Sequence, residues 1–199
     1  MKPDIVIIGG GAGGLELATR LGRRLDKRGQ ANVILVDRSP THIWKPLLHE
    51  VASGAMDSSV DQISYRAVAR HRHFSFVLGE FSGLDRQSQT ITLNAILDED
   101  GNTVLPQREL RYDYLVLALG SITNDFGIPG VKDNCYFLDS PEQAQYFHKT
   151  FLNTLMRVNS ERATNPEAEA RIPIVGGGAT VVELAAELVY AAETVHEYG

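Results

Sequence analysis

Between Gly9 and Gly14 the chain carries five glycines interrupted only by Ala12, and no other feature restricts the fold as strongly. The run follows Ile5-Val6-Ile7-Ile8, an unbroken apolar stretch of the kind a parallel strand shows when both its faces are covered. Gly9, Gly11 and Gly14 fit G-x-G-x-x-G. Downstream, Leu15, Ala18, Gly22 and Leu25 recur at three- and four-residue intervals and predict a helix with one buried stripe. Arg20, Arg23, Arg24, Lys27 and Arg28 fill its other face and last turns, where the helix dipole favours cations, and Gly29 is placed to cap its end. Val33-Ile34-Leu35-Val36 predicts a second buried strand, stopping at Asp37, about 20 residues beyond Gly14. In such a unit Gly9 permits the tight turn, Gly11 lets backbone approach a pyrophosphate, and Gly14 lets helix and strand pack closely. The helix N-terminus offers free amides to the phosphates, and Asp37 offers a carboxylate to ribose hydroxyls. Strand, glycines, helix, strand and acid together predict dinucleotide binding. An acid after the second strand argues against NADP in this first site.

The rest of the composition excludes several classes. With 43% apolar and 22% charged residues among 199, the chain reads as globular rather than disordered or fibrous. A net charge of −6, with no basic stripe evident in the sequence, argues against nucleic acid and against anionic lipid as partners. Cys135 stands alone, so no intramolecular disulfide, cysteine-based zinc site or redox pair can form within these residues. The start leads directly into a strand-like run, so no signal peptide is expected, and no apolar run reaches the ~20 residues of a membrane span.

In the middle of the chain, Thr41-His42-Ile43-Trp44-Lys45-Pro46-Leu47-Leu48-His49-Glu50-Val51-Ala52-Ser53-Gly54 predicts a short helix opened by Pro46. From the residues alone His42, Trp44 and His49 read equally well as packing or surface groups. Gln62 to Arg70 predicts a helix with a basic, solvated end, and Phe74 to Leu78 a strand broken at Gly79. Thr90-Ile91-Thr92-Leu93 and Glu109-Leu110-Arg111-Tyr112 flank the acidic turn Asp98 to Asn102, an antiparallel excursion. Tyr114 to Ser121 reads as a returning buried strand whose glycine exit reaches the ligand crevice. Ser140 as N-cap, Pro141 in the first turn and Gln143 open a helix with the stripe Ala144, Phe147, Phe151, Leu155 and Val158. Asn159 to Arg171 reads as a loop.

A second fingerprint closes the chain. Ile172-Pro173-Ile174-Val175 reads as a strand, Gly176-Gly177-Gly178 as its glycine turn, and Leu184, Leu188, Ala191 and Val195 as the stripe of a following helix. Val181 stands where a third glycine is expected and should push that helix away from the strand. The residues after Gly178 suffice for one helix, so the chain reads as the N-terminal part of a longer protein.

Two fingerprints separated by a crossover suggest a flavoprotein with two dinucleotide sites. The stretches Thr41 to Glu50, Leu117-Ala118-Leu119-Gly120-Ser121 with Asn124 to Gly130, and Gly176 to Leu188 resemble type II, non-proton-pumping NADH:quinone oxidoreductases, over nearly the whole chain. The resemblance implies an α/β fold. A Rossmann-like FAD-binding domain with a small antiparallel excursion would occupy residues 1–130, its N-terminal part in a discontinuous domain. Residues 131–199 would form a crossover helix and the first β-α unit of a Rossmann-like NADH-binding domain. It implies non-covalent FAD, NADH as substrate, and quinone as acceptor. Gly9, Gly11, Ala12, Gly13 and Gly14 would surround the pyrophosphate, Asp37 and Arg38 the ribose side, and the backbone around Phe81 the adenine. Lys45 and Pro46 would border the flavin, and Ala118 and Gly120 the crevice below it. Gly176, Gly178 and Glu183 would serve the nicotinamide, with Glu183 and Lys45 nearest the chemistry. Leu47, Leu48 and His49 would lie in the flavin or quinone vicinity. The parent would be a cytoplasmic homodimer, peripheral on the inner face of the cell membrane through a C-terminal region, and this chain alone soluble and inactive with NADH. Two other readings stay open: a soluble flavin reductase of a ferredoxin or rubredoxin, and a non-catalytic nucleotide-binding remnant.

Overall fold

Val6 and Ile7 are wholly buried, on opposite faces of one strand, and that double burial is what the continuous apolar run encodes. The computed structural model describes residues 2–57 and 62–197, without the side chains of residues 195–197. Strand Asp4–Ile8 lies between Asn32–Asp37 and Tyr114–Leu117, and Ser75–Leu78 adds beyond Asn32–Asp37, all parallel. On one face Ile7, Val33 and Leu35 pack with Ala18, Tyr65, Ala69 and Phe74 from the helical layer. On the other, Val6, Ile8 and Val36 pack with Ile91, Leu93 and Tyr112 from an antiparallel sheet. The chain is thus an α/β fold with a parallel sheet covered on both sides.

Two compact units make up the chain: Met1–His42 with Gln62–Ser121, and Ile43–Asp61 with Ile122–Gly199. In the first, helix Ala12–Leu21 continues through a wider π turn, Gly22–Asp26. Gly22 lies under the Arg72 and His73 carbonyls, which a Cβ there would overlap, and Gly29 (φ 70°) ends the segment as expected. The helix expected from Gln62 starts later: Ile63–Ser64 pairs with Thr41–His42, and the helix spans Tyr65–Arg72, with the Ser64 hydroxyl accepting from Ala67 N. The antiparallel sheet holds Thr90–Leu93 between Arg108–Arg111 and Phe81–Asp85. The last of these was not foreseen, because Ser82, Gly83 and Asp85 hide the alternation. A second hairpin, Ile96–Leu97 with Thr103–Leu105, closes around Asp98, whose carboxylate accepts from Asn102 N at 2.7 Å.

The basic face of the first helix gains a further member in the fold. Although the chain is acidic overall, the first unit gathers Arg20, Arg23, Arg24 and Arg72 around a groove of about 560 Å³. Arg72 reaches it from a distant segment because Gly22 lets the two helical segments meet, which no reading of linear charge could show.

The second unit is helical. Helix Leu48–Ser53 packs with Pro141–Glu161 and Ala179–Glu197 through Leu48, Val51, Ala52, Ala144, Phe151, Leu184 and Leu188. The Ser140 hydroxyl accepts from Gln143 N as expected, while the Gln143 side chain accepts from Asp139 N (2.8 Å) rather than from Ser140. That helix runs to Glu161, into the expected loop. Ile172–Val175, expected as a strand, is not one: the described residues of this unit contain no other strand to supply ladder hydrogen bonds, and Val175 is 87% exposed. The helix after it forms, with Leu184 and Leu188 buried; Val195 lies outside the described side chains.

Candidate functional site

In the first unit the site grows from the carboxyl ends of the parallel strands. Gly9 turns the chain at φ 99° and donates its N–H to Val36 O at 2.8 Å. A Cβ on Gly9 would overlap Ala118 O, and one on Gly14 would overlap Gly9 O, so close backbone approach requires glycine at both. Gly11 and Gly13 are different, because a Cβ at either would meet nothing within 4 Å. Gly11 leads into helix Ala12–Leu21 with no side-chain cap and no acid in the first turn. The amides of Ala12, Gly13 and Gly14 therefore open the helix without an internal acceptor and carry the positive end of its dipole. This is an anion cradle with room in front of it.

Asp37 ends the neighbouring strand. Its Oδ2 accepts from Gly10 N at 2.6 Å and its Oδ1 from Ser39 N at 2.8 Å, which ties the carboxylate to the glycine loop. Arg38 beside it is exposed. Gly79 N donates to Asp37 O at 2.9 Å, so Phe81 begins its strand close to the Asp37 end of the sheet. Ala118 N donates to Ile8 O at 2.8 Å, and Gly120 turns the chain away at φ 73°. Of the ten unit-one positions, Gly9, Gly11, Ala12, Gly13, Gly14, Asp37, Phe81, Ala118 and Gly120 lie at or beside the same strand ends, and exposed Arg38 follows Asp37.

Tyr65 was not foreseen as part of this loop. Its hydroxyl donates to Gly10 O at 2.8 Å, and a Cβ on Gly10 would overlap its ring. His42 Nδ1 lies 3.4 Å from the same hydroxyl. Burial, with the Asp37 charge adding to it, pushes the Tyr65 phenol far above its ordinary pKa, so it remains a donor. Burial lowers the His42 imidazole, against the opposing pull of Asp37. The available signal was Tyr65 and Ala69 sharing one face of an otherwise basic helix.

In the second unit, Pro46 occupies the first turn of the 3-10 turn Lys45–Leu47. Lys45 Nζ donates to Asp139 Oδ1 at 2.8 Å, and Thr123 N and Oγ1 each donate to Asp139 at 3.0 Å. Burial pushes the Asp139 carboxyl up, but the Lys45 and Thr123 hydrogen bonds outweigh it and hold it below the ordinary aspartate value. Nothing in the sequence linked Lys45 to a residue 94 positions away. Leu47 is half-buried; Leu48 and His49 are buried. Glu183 Oε2 lies 3.8 Å from His49 Nε2, with the Glu183 side chain half-exposed. Gly176 adopts φ 129°, and a Cβ there would come 3.1 Å from Val181 Cγ2. Val181 thus packs beside its own glycine turn rather than against a strand. Gly178 faces open space.

The residues fit a dinucleotide at the first site: an uncapped helix start, open space where Gly11 lacks a side chain, and a carboxylate at the adjoining strand end. Comparisons with known proteins agree in kind. The chain is 46% identical to a type II NADH:quinone oxidoreductase of Haemophilus influenzae, over 98% of this chain and 47% of that protein. It is 28% identical to an external alternative NADH-ubiquinone oxidoreductase of Yarrowia lipolytica mitochondria, over 94% of this chain and 32% of that one. The chain therefore spans about half, or less, of the curated relatives it matches. Its fold superposes on NDH2 from Plasmodium falciparum in complex with NADH with a TM-score of 0.73 and 27% identity, over 96% of this chain and 37% of the other. The family model of pyridine nucleotide-disulphide oxidoreductases matches residues 3–197, and the chain belongs to that family.

Proposed function

We propose that this chain supplies the FAD-binding part, and the opening of the NADH-binding part, of a type II NADH:quinone oxidoreductase. The observation that carries the reading is the open, uncapped helix start at Gly11, flanked by Asp37. The likeness to the Haemophilus enzyme supports the choice of reaction. In that reaction NADH and a proton reduce a quinone to a quinol and leave NAD⁺. A bound flavin supplies the acceptor for the hydride and the donor to the quinone.

The chain's own residues bind and orient. The amides of Ala12, Gly13 and Gly14 hold the diphosphate, with Gly11 leaving room for it. Asp37 accepts from ribose hydroxyls while the Tyr65 hydroxyl and the Gly10 amide keep loop and carboxylate in register. Arg38 and the Phe81 backbone attend the ribose and adenine end, and Ala118 and Gly120 line the floor. Lys45, steadied by Asp139, and Pro46 border the flavin; Gly176, Gly178 and Glu183 serve the nicotinamide. In this reading residues 1–130 belong to the FAD domain and 131–199 open the NADH domain. The whole enzyme is a homodimer on the inner face of the cell membrane, held there by a region outside these residues. Among the described residues no helix is long and apolar enough to cross a membrane.

Titration of the purified chain with FAD tests the reading. Binding at one equivalent, weakened by Asp37→Ala, is the expected result. A folded chain that binds no FAD overturns it. Replacing the matching half of the Haemophilus relative with this chain then tests the reaction, since the chimera should carry flavin and reduce quinone with NADH.

A further inference from the structure

Helix Leu48–Ser53 and helix Ala179–Glu197 also meet through a charged cluster of which the nucleotide reading uses only Glu183. The His49 side chain is only 8% exposed, with Nε2 3.3 Å from Glu187 Oε1 and 3.8 Å from Glu183 Oε2. Glu50, the next residue, adds a carboxylate: donor atoms of His49, Glu50 and Glu187 all lie within 4.8 Å of one another. Ser53 Oγ donates to Glu187 Oε2 at 2.7 Å, which leaves Oε1 of the same carboxylate to face the imidazole. His49 Nδ1 is buried and has no hydrogen-bond partner among the described residues.

Carboxylates thus converge on one buried imidazole from both helices. Carboxylate oxygens of Glu50 and Glu187 within 4.8 Å of one another repel unless a cation lies between them. A divalent cation between the ring and the carboxylates supplies the missing charge.

We propose that His49, Glu50 and Glu187, with Ser53 orienting Glu187, form a binding site for a divalent transition-metal ion of the zinc class. One imidazole with carboxylates suits Zn(II) and its neighbours better than the all-oxygen sets of Ca(II) and Mg(II). Three protein ligands leave a coordination position for water. The Ser53 hydrogen bond is the kind of outer contact that fixes a ligating carboxylate. All these residues lie in one unit, and the site clamps two of its helices together. The inference does not depend on flavin or quinone.

The test uses the 199-residue chain, stripped with a chelator and titrated with Co(II), followed by its visible absorption, and with Zn(II) against a chromophoric competitor. One bound equivalent is expected, together with a higher melting temperature in Zn(II). Glu187→Gln and His49→Ala should each weaken binding more than ~10-fold and remove the thermal shift, and Ser53→Ala should weaken it by ~10-fold. His49→Ala also empties a core position, so Glu50→Gln, at a half-buried site, carries the test if that variant does not fold. A folded chain that binds no metal overturns the proposal and leaves a histidine held by carboxylates. Binding unchanged in both Glu50→Gln and Glu187→Gln overturns it equally, because the metal then sits elsewhere.

Discussion

Replacing Gly11 with alanine should separate cofactor binding from folding. In the free protein the new methyl meets nothing within 4 Å, and Gly11 sits at φ −61° and ψ −174°, a conformation alanine adopts without strain. Losing glycine's freedom in the unfolded chain stabilises by ~0.4–1 kcal/mol. The poorer N-cap propensity of alanine offsets a similar amount, so the net change lies within ~0.5 kcal/mol of zero. At ~2–4 °C per kcal/mol that is under ~2 °C in melting temperature. With FAD present, the methyl occupies the space the diphosphate needs. Forcing it to share costs ~1–3 kcal/mol, which is ~5- to ~150-fold in dissociation constant. Gly14→Ala is the contrast, because its Cβ would overlap Gly9 O, a backbone atom that cannot swing aside, and fold and binding should fall together. Urea unfolding by circular dichroism reads the first quantity and calorimetric titration with FAD the second. If Gly11→Ala binds FAD within ~2-fold of the parent while folding normally, the diphosphate does not lie on these amides and the assignment is refuted.

Two further outcomes follow from the hydrogen-bond network. Tyr65→Phe removes the donor to Gly10 O from a buried position, so urea unfolding should show a loss of ~1–3 kcal/mol, with weaker FAD binding. The Lys45–Asp139 contact should be visible in the pH dependence of stability. Asp139 is held below its ordinary pKa, so its contribution is complete above that value and disappears as pH falls through the folded one. Because Lys45 is 46% exposed, Asp139→Asn should cost only ~0.2–1 kcal/mol from the ion pair at pH 7, and that difference should vanish in acid unfolding curves.

The parts of the site that were legible beforehand are those whose causes are local. Gly9, Gly11, Gly14 and Asp37 could be placed at turn, helix start and strand end because those features are set by residues close in sequence, and the helix cap at Ser140 followed for the same reason. Ile172–Val175 shows where that logic stops. Its apolar pattern favours a strand, but a strand exists only when another accepts and donates its hydrogen bonds, and the described residues of its unit provide none. Phe81–Asp85 shows the converse: an irregular pattern becomes a strand because Thr90–Leu93 offers an edge to pair with.

From the sequence alone came the parallel α/β order, the glycine turn with the acid at the neighbouring strand end, and the apolar stripes of the long helices. All of these rest on period and propensity, which act over a few residues. Tertiary structure decided which side chains support them. Tyr65 reaches Gly10 across 55 positions, Asp139 reaches Lys45 across 94, and Ser53 reaches Glu187 across 134. Arg72 joins Arg20, Arg23 and Arg24 only where Gly22 lets two helical segments touch. Such contacts depend on where packing brings distant backbone together, and no local preference of the residues involved encodes that distance.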